Sequence, residues 1–186
     1  MLTDGENGFA LINDCKYGLS AEDSRLSLSL LRAPLIPDMT ADRGMHHFTY
    51  SIMPFSGPFV RSRVTEEAYE CNVEVTVSGG KLQGRFETNA VSETVSFFRL
   101  EGGHTVLETC KPAMDETKGI VLRIYEAKGS AGVTELSLPC YVKQAFVCNM
   151  LEEKQQELEI RDGRVNLQFH SFEIKTILLE TGDMQN

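Results

Sequence analysis

Apolar residues recur at every second position along much of this 186-residue chain, and this period limits the fold more than any other feature. Valines alternate with polar residues over 73–77, and apolar residues alternate with Thr and Ser over 48–52. The segment 119–125 is a continuous apolar run rich in β-branched residues, which predicts a buried strand. Because successive side chains of a strand point to opposite faces, the period of two predicts β-structure rather than helix.

Further strands are predicted over 9–12, 26–30 and 172–179, where apolar residues alternate or run together. Two more alternating runs, 157–160 and 165–169, flank Asp162-Gly163. Asp-Gly between alternating runs predicts a β-hairpin, because Gly tolerates the positive φ that a tight turn needs.

Helical signals are few. The segment 64–69 predicts one or two turns with Thr65 as N-cap, whereas 150–156 lacks an apolar face and predicts a loop. About ten short strands broken by Gly, Pro and Asp turns predict an all-β antiparallel β-sandwich with little helix. We expect two domains, 1–68 and 69–186, with a polar Gly-rich loop at 78–81 shortly after the junction.

Charge and composition exclude several classes of function. A net charge of −9 without a Lys/Arg run argues against nucleic-acid binding, which needs a clustered basic surface. The apolar stretches are far shorter than the roughly 20 residues that cross a bilayer, so no membrane is expected as a partner. The first residues lack the basic start and apolar run of a signal peptide. Five cysteines with no C-x-x-C pair predict reduced thiols in a cytoplasmic protein.

A dense polar loop, Asn13 to Gly18, follows the strand 9–12 directly. Two interpretations are open. Asn13 and Asp14 are common turn residues that bond nearby backbone amides, which predicts an Asx-type turn. Alternatively, Asn13, Asp14, Lys16 and Tyr17 lie at the mouth of the strand, where side chains project into a loop and can form part of a functional site.

A second polar segment, 37–50, contains His46 and His47 near Asp38 and Asp42. Adjacent histidines at the entry of a strand point to opposite faces and do not easily share one ion. Zinc needs three or four ligands, and no Cys or His is spaced to complete such a set. The sequence therefore predicts no metal site and no cofactor in this chain.

Six segments, in order, resemble glycoside hydrolase family 38, the α-mannosidases, and most closely their cytosolic and bacterial branch. The first combines Asn13-Asp14-Cys15-Lys16-Tyr17-Gly18 with the Leu-Ser-Leu-Leu-Arg-Ala-Pro run at 28–34. The second is Ala41-Asp42-Arg43-Gly44-Met45-His46 and the Phe-Thr-Tyr at 48–50. The remaining four segments are 106–113, 119–129, 149–152 and 172–176.

The resemblance implies that residues 1–68 end a large mutarotase-like β-supersandwich and that residues 69–186 form a terminal Ig-like sandwich. It implies a parent that is a retaining exo-α-mannosidase, with an Asp nucleophile and a zinc ion in an N-terminal α/β domain followed by a helical bundle. This chain would then be the non-catalytic tail, with no catalytic residue of its own. It would contact the catalytic and helical domains of the same parent, and the parent is a candidate homo-oligomer. The resemblance also implies that Asn13, Asp14, Lys16 and Tyr17 lie at the rim of the sugar site, where amide, carboxylate and phenol groups bind the hydroxyls of a mannose-containing oligosaccharide.

The scattered carboxylates of the chain do not change the expectation that it contains no catalytic residue. A glycosidase needs two carboxylates that face each other across the scissile bond, and no local pattern pairs two here. Glu126 and Glu173 match family positions, but an Arg–Glu bridge or strand-end hydrogen bonds are the expected roles. The scattered set is Glu108, Glu126, Glu152, Glu153 and Glu173.

Two alternatives to the scaffold of a mannosidase are open. One is a stand-alone carbohydrate-binding β-sandwich, against which the chain has no Trp, so that Tyr17, Tyr50 or Tyr141 would have to provide the aromatic platform. The other is a structural interaction domain. An exposed apolar patch of several hundred Å² would favour a scaffold or an interaction domain over the stand-alone module.

Overall fold

A computed structural model describes residues 1–77, 96–114 and 119–182. These residues form antiparallel sheets with little helix, which confirms the predicted all-β class. The chain divides into two compact units, and the division falls between the described ranges 1–77 and 96–114. The domain boundary predicted at residue 68 remains a prediction.

The first unit contains a three-stranded sheet in the order β1-β2-β5 and a separate hairpin of β3 and β4. Small or apolar residues of one face of this sheet are buried, namely Gly8, Ala10, Ile12 and Phe55. After β5 the chain forms a 3-10 turn at Phe59–Arg61 and a helix. The elements are β1 (Leu2–Thr3), β2 (Asn7–Asn13), β3 (Gly18–Glu22), β4 (Arg25–Ser29), β5 (Tyr50–Ser56) and α1 (Val64–Asn72).

The second unit is a sandwich of a five-stranded sheet, in the order β11-β10-β13-β8-β7, and a three-stranded sheet, in the order β12-β9-β6. One apolar cluster lies between them and draws residues from both sheets, including Leu122, Ile177, Leu136 and Phe169. The strands are β6 (Arg99–Glu101), β7 (Thr105–Pro112), β8 (Gly119–Glu126), β9 (Gly132–Ser137), β10 (Val142–Cys148), β11 (Lys154–Leu158), β12 (Arg164–Phe169) and β13 (Ile174–Thr181).

A buried carboxylate holds one end of this sandwich together. Glu126, only 2% exposed at the end of β8, accepts hydrogen bonds from the backbone N–H groups of Lys128 at 2.9 Å, Gly129 at 2.8 Å and Phe172 at 2.9 Å. The hydroxyl of Ser130 donates a further bond at 3.2 Å. Burial disfavours the charged form, yet these donors hold the pKa of Glu126 below its ordinary value. The strand-end hydrogen bonds predicted for Glu126 are confirmed.

Glu173 has a similar role at the start of β13. Burial opposes its ionisation, but the Lys175 ammonium at 2.6 Å and the His170 N–H at 2.7 Å hold the pKa of Glu173 below its ordinary value. A carboxyl whose pKa is lower in the folded state stabilises that state above its unfolded pKa. The stabilisation is lost as the pH falls through the folded pKa.

Acid is therefore expected to destabilise the second unit. Both carboxyls are charged at neutral pH, so we expect a constant urea midpoint down to about pH 5 and a fall below the ordinary carboxyl value of 4.5. Glu126→Gln should make the midpoint less dependent on acid, because the variant lacks one carboxyl whose pKa is lowered by folding. An acid dependence identical in the variant and the parent sequence would contradict this assignment.

The predicted hairpin around Asp162-Gly163 is wrong in its arms, although its turn forms. Asp162 and Gly163 both have positive φ, 49° and 73°, and a single bridge joins Arg161 to Arg164. Beyond that bridge the strands separate: β11 pairs with β10, and β12 pairs with β9 in the other sheet. The turn is set locally, but each strand is held by the partner and core face that its apolar side chains contact.

Three further predictions differ from the structure, and one falls outside the described residues. The valines of 73–77 are exposed and form no strand with any described residue. The helix begins at Val64 with Arg63 at the N-cap, so Thr65 lies within its first turn. A loop was predicted over 150–156, but β11 begins at Lys154, within that range. The Gly-rich loop at 78–81 lies outside the described residues.

Candidate functional site

The polar loop after β2, Asn13 to Gly18, is tied to the residue that precedes β5. The Asn13 Oδ1 accepts the N–H of Lys16 at 2.7 Å, which is the predicted Asx-type turn. The N–H of Thr49 donates to Asp14 Oδ2 at 2.8 Å, and the Asp14 N–H donates to the Thr49 carbonyl at 3.2 Å. The pKa of Asp14 is lowered, first by a hydrogen bond from the Cys15 thiol and then by the Thr49 N–H. This reciprocal contact holds the loop in one place.

Lys16 and Tyr17 are the two predicted site residues whose side chains project from the loop. The Lys16 Nζ lies 5.0 Å from the centroid of the Phe48 ring, so an aromatic face holds the ammonium. Tyr17 is 90% exposed. Asn13 therefore binds backbone within the loop and Asp14 binds the backbone of Thr49, whereas the side chains of Lys16 and Tyr17 project from the loop. A sugar-binding role for the four residues remains a prediction.

The second polar segment joins the same region through Asp42. Its Oδ2 accepts the N–H groups of Arg32 at 3.2 Å and Ala33 at 2.6 Å, and its carbonyl accepts a bond from His46 Nε2 at 3.0 Å. The loops after β2 and β4 and the segment before β5 thereby border a shallow, open cavity of about 480 Å³. Sequence reasoning missed Arg32 and His46 as lining residues, because they become neighbours of Lys16 only through folding.

The sheet β1-β2-β5 leaves an apolar face in water. Phe9 pairs with Pro54 and Leu11 pairs with Ile52 across the strands. Phe9 is 58% exposed and Ile52 is 67% exposed. The face ends at the pair Asn13–Tyr50, where the polar loop begins. We call this surface the apolar face; it is formed by Phe9, Leu11, Tyr50, Ile52 and Pro54. Contiguous exposed apolar surface of this kind marks a site of interaction.

The scattered carboxylates of the second unit have structural partners. Glu152, with its side chain 7% exposed, contacts the Lys111 ammonium and accepts the Met114 N–H at 2.7 Å. The Lys111 hydrogen bond and the Met114 N–H lower the pKa of Glu152. Glu153 accepts a bond from the Asn149 side-chain amide at 2.6 Å. Two of the six resembling segments, 106–113 and 149–152, thus meet through one ion pair.

Within the part of the chain that the structure describes, no three His, Cys, Asp or Glu side chains are grouped so as to hold a metal ion. The same residues contain no helix with the length and apolarity to span a bilayer.

Comparison with known proteins gives matches in both units. The family model described as "Glycosyl hydrolases family 38 C-terminal domain" matches residues 1–40, and "Glycosyl hydrolases family 38 C-terminal beta sandwich domain" matches residues 104–177. "Alpha-mannosidase 2C1" of Homo sapiens is 41% identical over 92% of the chain, and "Alpha-mannosidase G" of Dictyostelium discoideum is 36% identical over 94%. "Alpha-mannosidase" of Saccharomyces cerevisiae is 28% identical over 92%. The chain spans 16% to 17% of the length of these relatives.

Proposed function

Because this chain belongs to the C-terminal β region of glycoside hydrolase family 38, we propose that it is the non-catalytic scaffold of a retaining exo-α-mannosidase. In this proposal the scaffold braces the catalytic domain of the same parent and lines the edge of its sugar site. The parent acts in the cytoplasm on mannose-containing oligosaccharides. The nucleophile and the zinc ion belong to the rest of the parent, and the zinc helps to hold the terminal mannose there.

The observation that carries the proposal is the apolar face that ends at the polar loop. An autonomous domain would expose Phe9 and Ile52 to water at a cost of roughly 25 cal/mol for each Å² of apolar surface. This chain covers 16% of the length of its human relative, and in this proposal the partner for this surface lies in the remaining chain of the parent. A partner that covers the apolar face also approaches Asn13 and Tyr50, and therefore the loop that follows them.

The loop offers suitable groups to a sugar that is bound at this border. Lys16 donates hydrogen bonds to hydroxyl oxygens, and the Tyr17 phenol both donates and accepts. Asn13 and Asp14 hold the loop through backbone contacts, so we assign them a positioning role within the proposed site. The apolar face also favours the scaffold over a stand-alone carbohydrate-binding module, for which a large apolar surface would be a liability.

Substitutions in the full-length parent test the sugar-site part of the proposal. On an aryl α-mannoside with zinc present, Lys16→Ala is expected to lower kcat/KM about tenfold, because it removes a charged donor whose hydrogen bond is worth about 1.5 kcal/mol. Tyr17→Phe is expected to lower kcat/KM about threefold, because it removes a neutral hydrogen bond worth about 0.7 kcal/mol. Arg25→Ala, at the turn of the β3–β4 hairpin, is the matched control and should leave kcat/KM within a factor of about two. Equal values in all three variants would contradict a role at the site.

The proposed docking of the apolar face against the rest of the parent is tested by comparing one substitution in the isolated chain and in the full-length parent. Ile52→Asp should lower the stability of the isolated chain by no more than about 1 kcal/mol, the span of strand propensity, because the side chain is exposed there. In the parent the same change should lower the melting temperature by several degrees, because a charge is buried without a partner. Val133→Asp, at an exposed position of β9, is the control for strand propensity. An equal loss of stability in the isolated chain and in the parent would contradict docking at the apolar face.

A further inference from the structure

The five-stranded sheet of the second unit carries apolar side chains on both of its faces. Along β13 the consecutive residues 176–179 are all buried. Ile177 and Leu179 belong to the core between the two sheets, whereas Leu178 packs against Val121 in a second apolar cluster on the opposite side. In a sandwich the outward side chains are ordinarily polar, so a strand that is apolar on both sides is built to be covered twice. We call this second side the outer face; it includes Val106, Val121, Arg123, Tyr125, Ile174 and Leu178.

The chain itself covers one half of the outer face. Ala113, which follows β7, and Phe146 of β10 pack against the cluster of Val121 and Leu178. Val121 and Leu178 are buried as a result. Where the outer face has a cover, it therefore forms a small core of its own.

The other half of the outer face has no such cover. Val106, Tyr125 and Ile174 lie side by side across β7, β8 and β13, because paired residues of neighbouring strands point to the same side of a sheet. Ile174 is 61% exposed, and so is Met150 in the loop after β10. An apolar row that continues from a buried cluster into water marks a site of interaction.

Arg123 lies within this uncovered half and has a donor without a partner. It pairs with Thr176 and is two positions from Tyr125, so the two side chains share the outer face. Its Nη2 donates a long hydrogen bond of 3.4 Å to the Met150 carbonyl oxygen. Its Nε is buried and has no hydrogen-bond partner among the described residues. Since buried donors in native proteins are nearly always paired, the surface fits a partner that supplies an oxygen acceptor among apolar side chains.

We infer that the uncovered half of the outer face is covered in the parent by polypeptide outside these 186 residues, through apolar contacts that surround an oxygen acceptor for Arg123. This chain spans 16% to 17% of the length of its relatives, and the cover is assigned to the remaining chain of the parent. The inference rests on the proposed function, because it gives the same parent a second docking surface, on the unit that does not carry the apolar face.

Hydroxyl-radical footprinting of the unsubstituted protein tests this cover. The oxidation rate of the Ile174 side chain, measured by mass spectrometry, is compared in the isolated chain and in the full-length parent. We expect the rate to be at least about fivefold lower in the parent, because the side chain lies in the dry centre of the contact. Val133, exposed on the other sheet of the sandwich, is the control and should change less than about twofold. Equal rates for Ile174 in the isolated chain and the parent would overturn the inference.

Replacing Arg123 by methionine tests the oxygen acceptor. In the isolated chain Arg123→Met removes a donor that has no partner, so the melting temperature should rise or stay within about 1 °C. In the parent the same change leaves the acceptor of the covering segment unpaired and should lower the melting temperature by several degrees. Arg99→Met removes an exposed arginine that is paired with Glu101, and should shift either melting temperature by less than about 1 °C. An equal shift for Arg123→Met in the isolated chain and the parent would overturn the acceptor.

The outcomes separate this inference from the proposed function. Protection of Phe9 and Ile52 in the parent without protection of Ile174 would overturn the inference and leave the scaffold in place. Protection of Ile174 in a parent that hydrolyses no α-mannoside would support the cover and overturn the scaffold of a mannosidase. Protection of Ile174 that decreases on dilution of the parent would assign the outer face to a second copy and overturn the inference.

Discussion

Replacing Glu126 by alanine is expected to lower the free energy of unfolding of the second unit by about 4 kcal/mol. The carboxylate accepts three backbone N–H groups, from Lys128, Gly129 and Phe172, inside a site that excludes water. Alanine leaves these donors unsatisfied, and each buried donor without a partner costs about 1 to 3 kcal/mol. The substitution also removes the group that joins the end of β8 to the turn before β13.

Urea unfolding followed by far-ultraviolet circular dichroism measures this loss. Glu126→Gln keeps one acceptor oxygen and the shape of the side chain, so we expect a smaller loss of about 2 kcal/mol. Glu108→Ala removes an exposed carboxylate from the neighbouring strand β7 and should cost less than about 0.5 kcal/mol. Equal stability of the Glu126 and Glu108 variants would show that the buried carboxylate does not hold the sandwich end.

Adding a single methyl group at Gly8 is expected to destabilise the first unit by about 3 kcal/mol. A Cβ at Gly8 would lie 2.3 Å from Cζ of the Phe55 ring and 2.8 Å from the carbonyl oxygen of Leu2. Both distances are much shorter than a van der Waals contact. The carbonyl belongs to β1, which is paired with β2 and does not move freely. Gly8→Ala therefore forces either the ring or the β1–β2 pairing out of place.

A double-mutant cycle separates the ring from the backbone contribution. Phe55→Leu removes the ring atoms nearest to the new methyl group, so Gly8→Ala should cost about 1 to 2 kcal/mol less in that background. Gly132→Ala is the matched control, because Gly132 also lies in a strand but the nearest atom to its added Cβ is 3.8 Å away. We expect that control to cost less than about 0.5 kcal/mol. Additive effects of Gly8→Ala and Phe55→Leu would contradict a clash with the ring.

Strands whose buried face carries a strong apolar pattern were predictable from the sequence. The runs at 9–12, 119–125 and 172–179 correspond to β2, β8 and β13, which supply much of the two cores. The failed prediction at 73–77 had the same alternation without a partner among the described strands. Alternation shows that a segment is able to form a strand, whereas pairing also requires a free edge and a core face to cover.

The candidate site was predictable only in part. The polar loop was recognisable because turn residues follow an apolar strand directly, and the Asx-type turn at Asn13 obeys local rules. The bond from Thr49 to Asp14 joins residues 35 positions apart, and the bonds from Arg32 and Ala33 to Asp42 join separate loops. No local pattern encodes which loops meet, so the cavity and its two cations were not visible before folding.

The sequence by itself determined the all-β class, the main buried strands, the turn at Asp162-Gly163 and the likeness to family 38. These features depend on neighbouring residues, since side-chain alternation and turn geometry are set within a few positions. Only the tertiary structure decided that β11 and β12 enter different sheets, that Glu126 binds the turn before β13, and that Lys16 and Arg32 line one cavity. Those choices follow from competition among distant partners for burial and hydrogen bonds, which is a property of the whole fold.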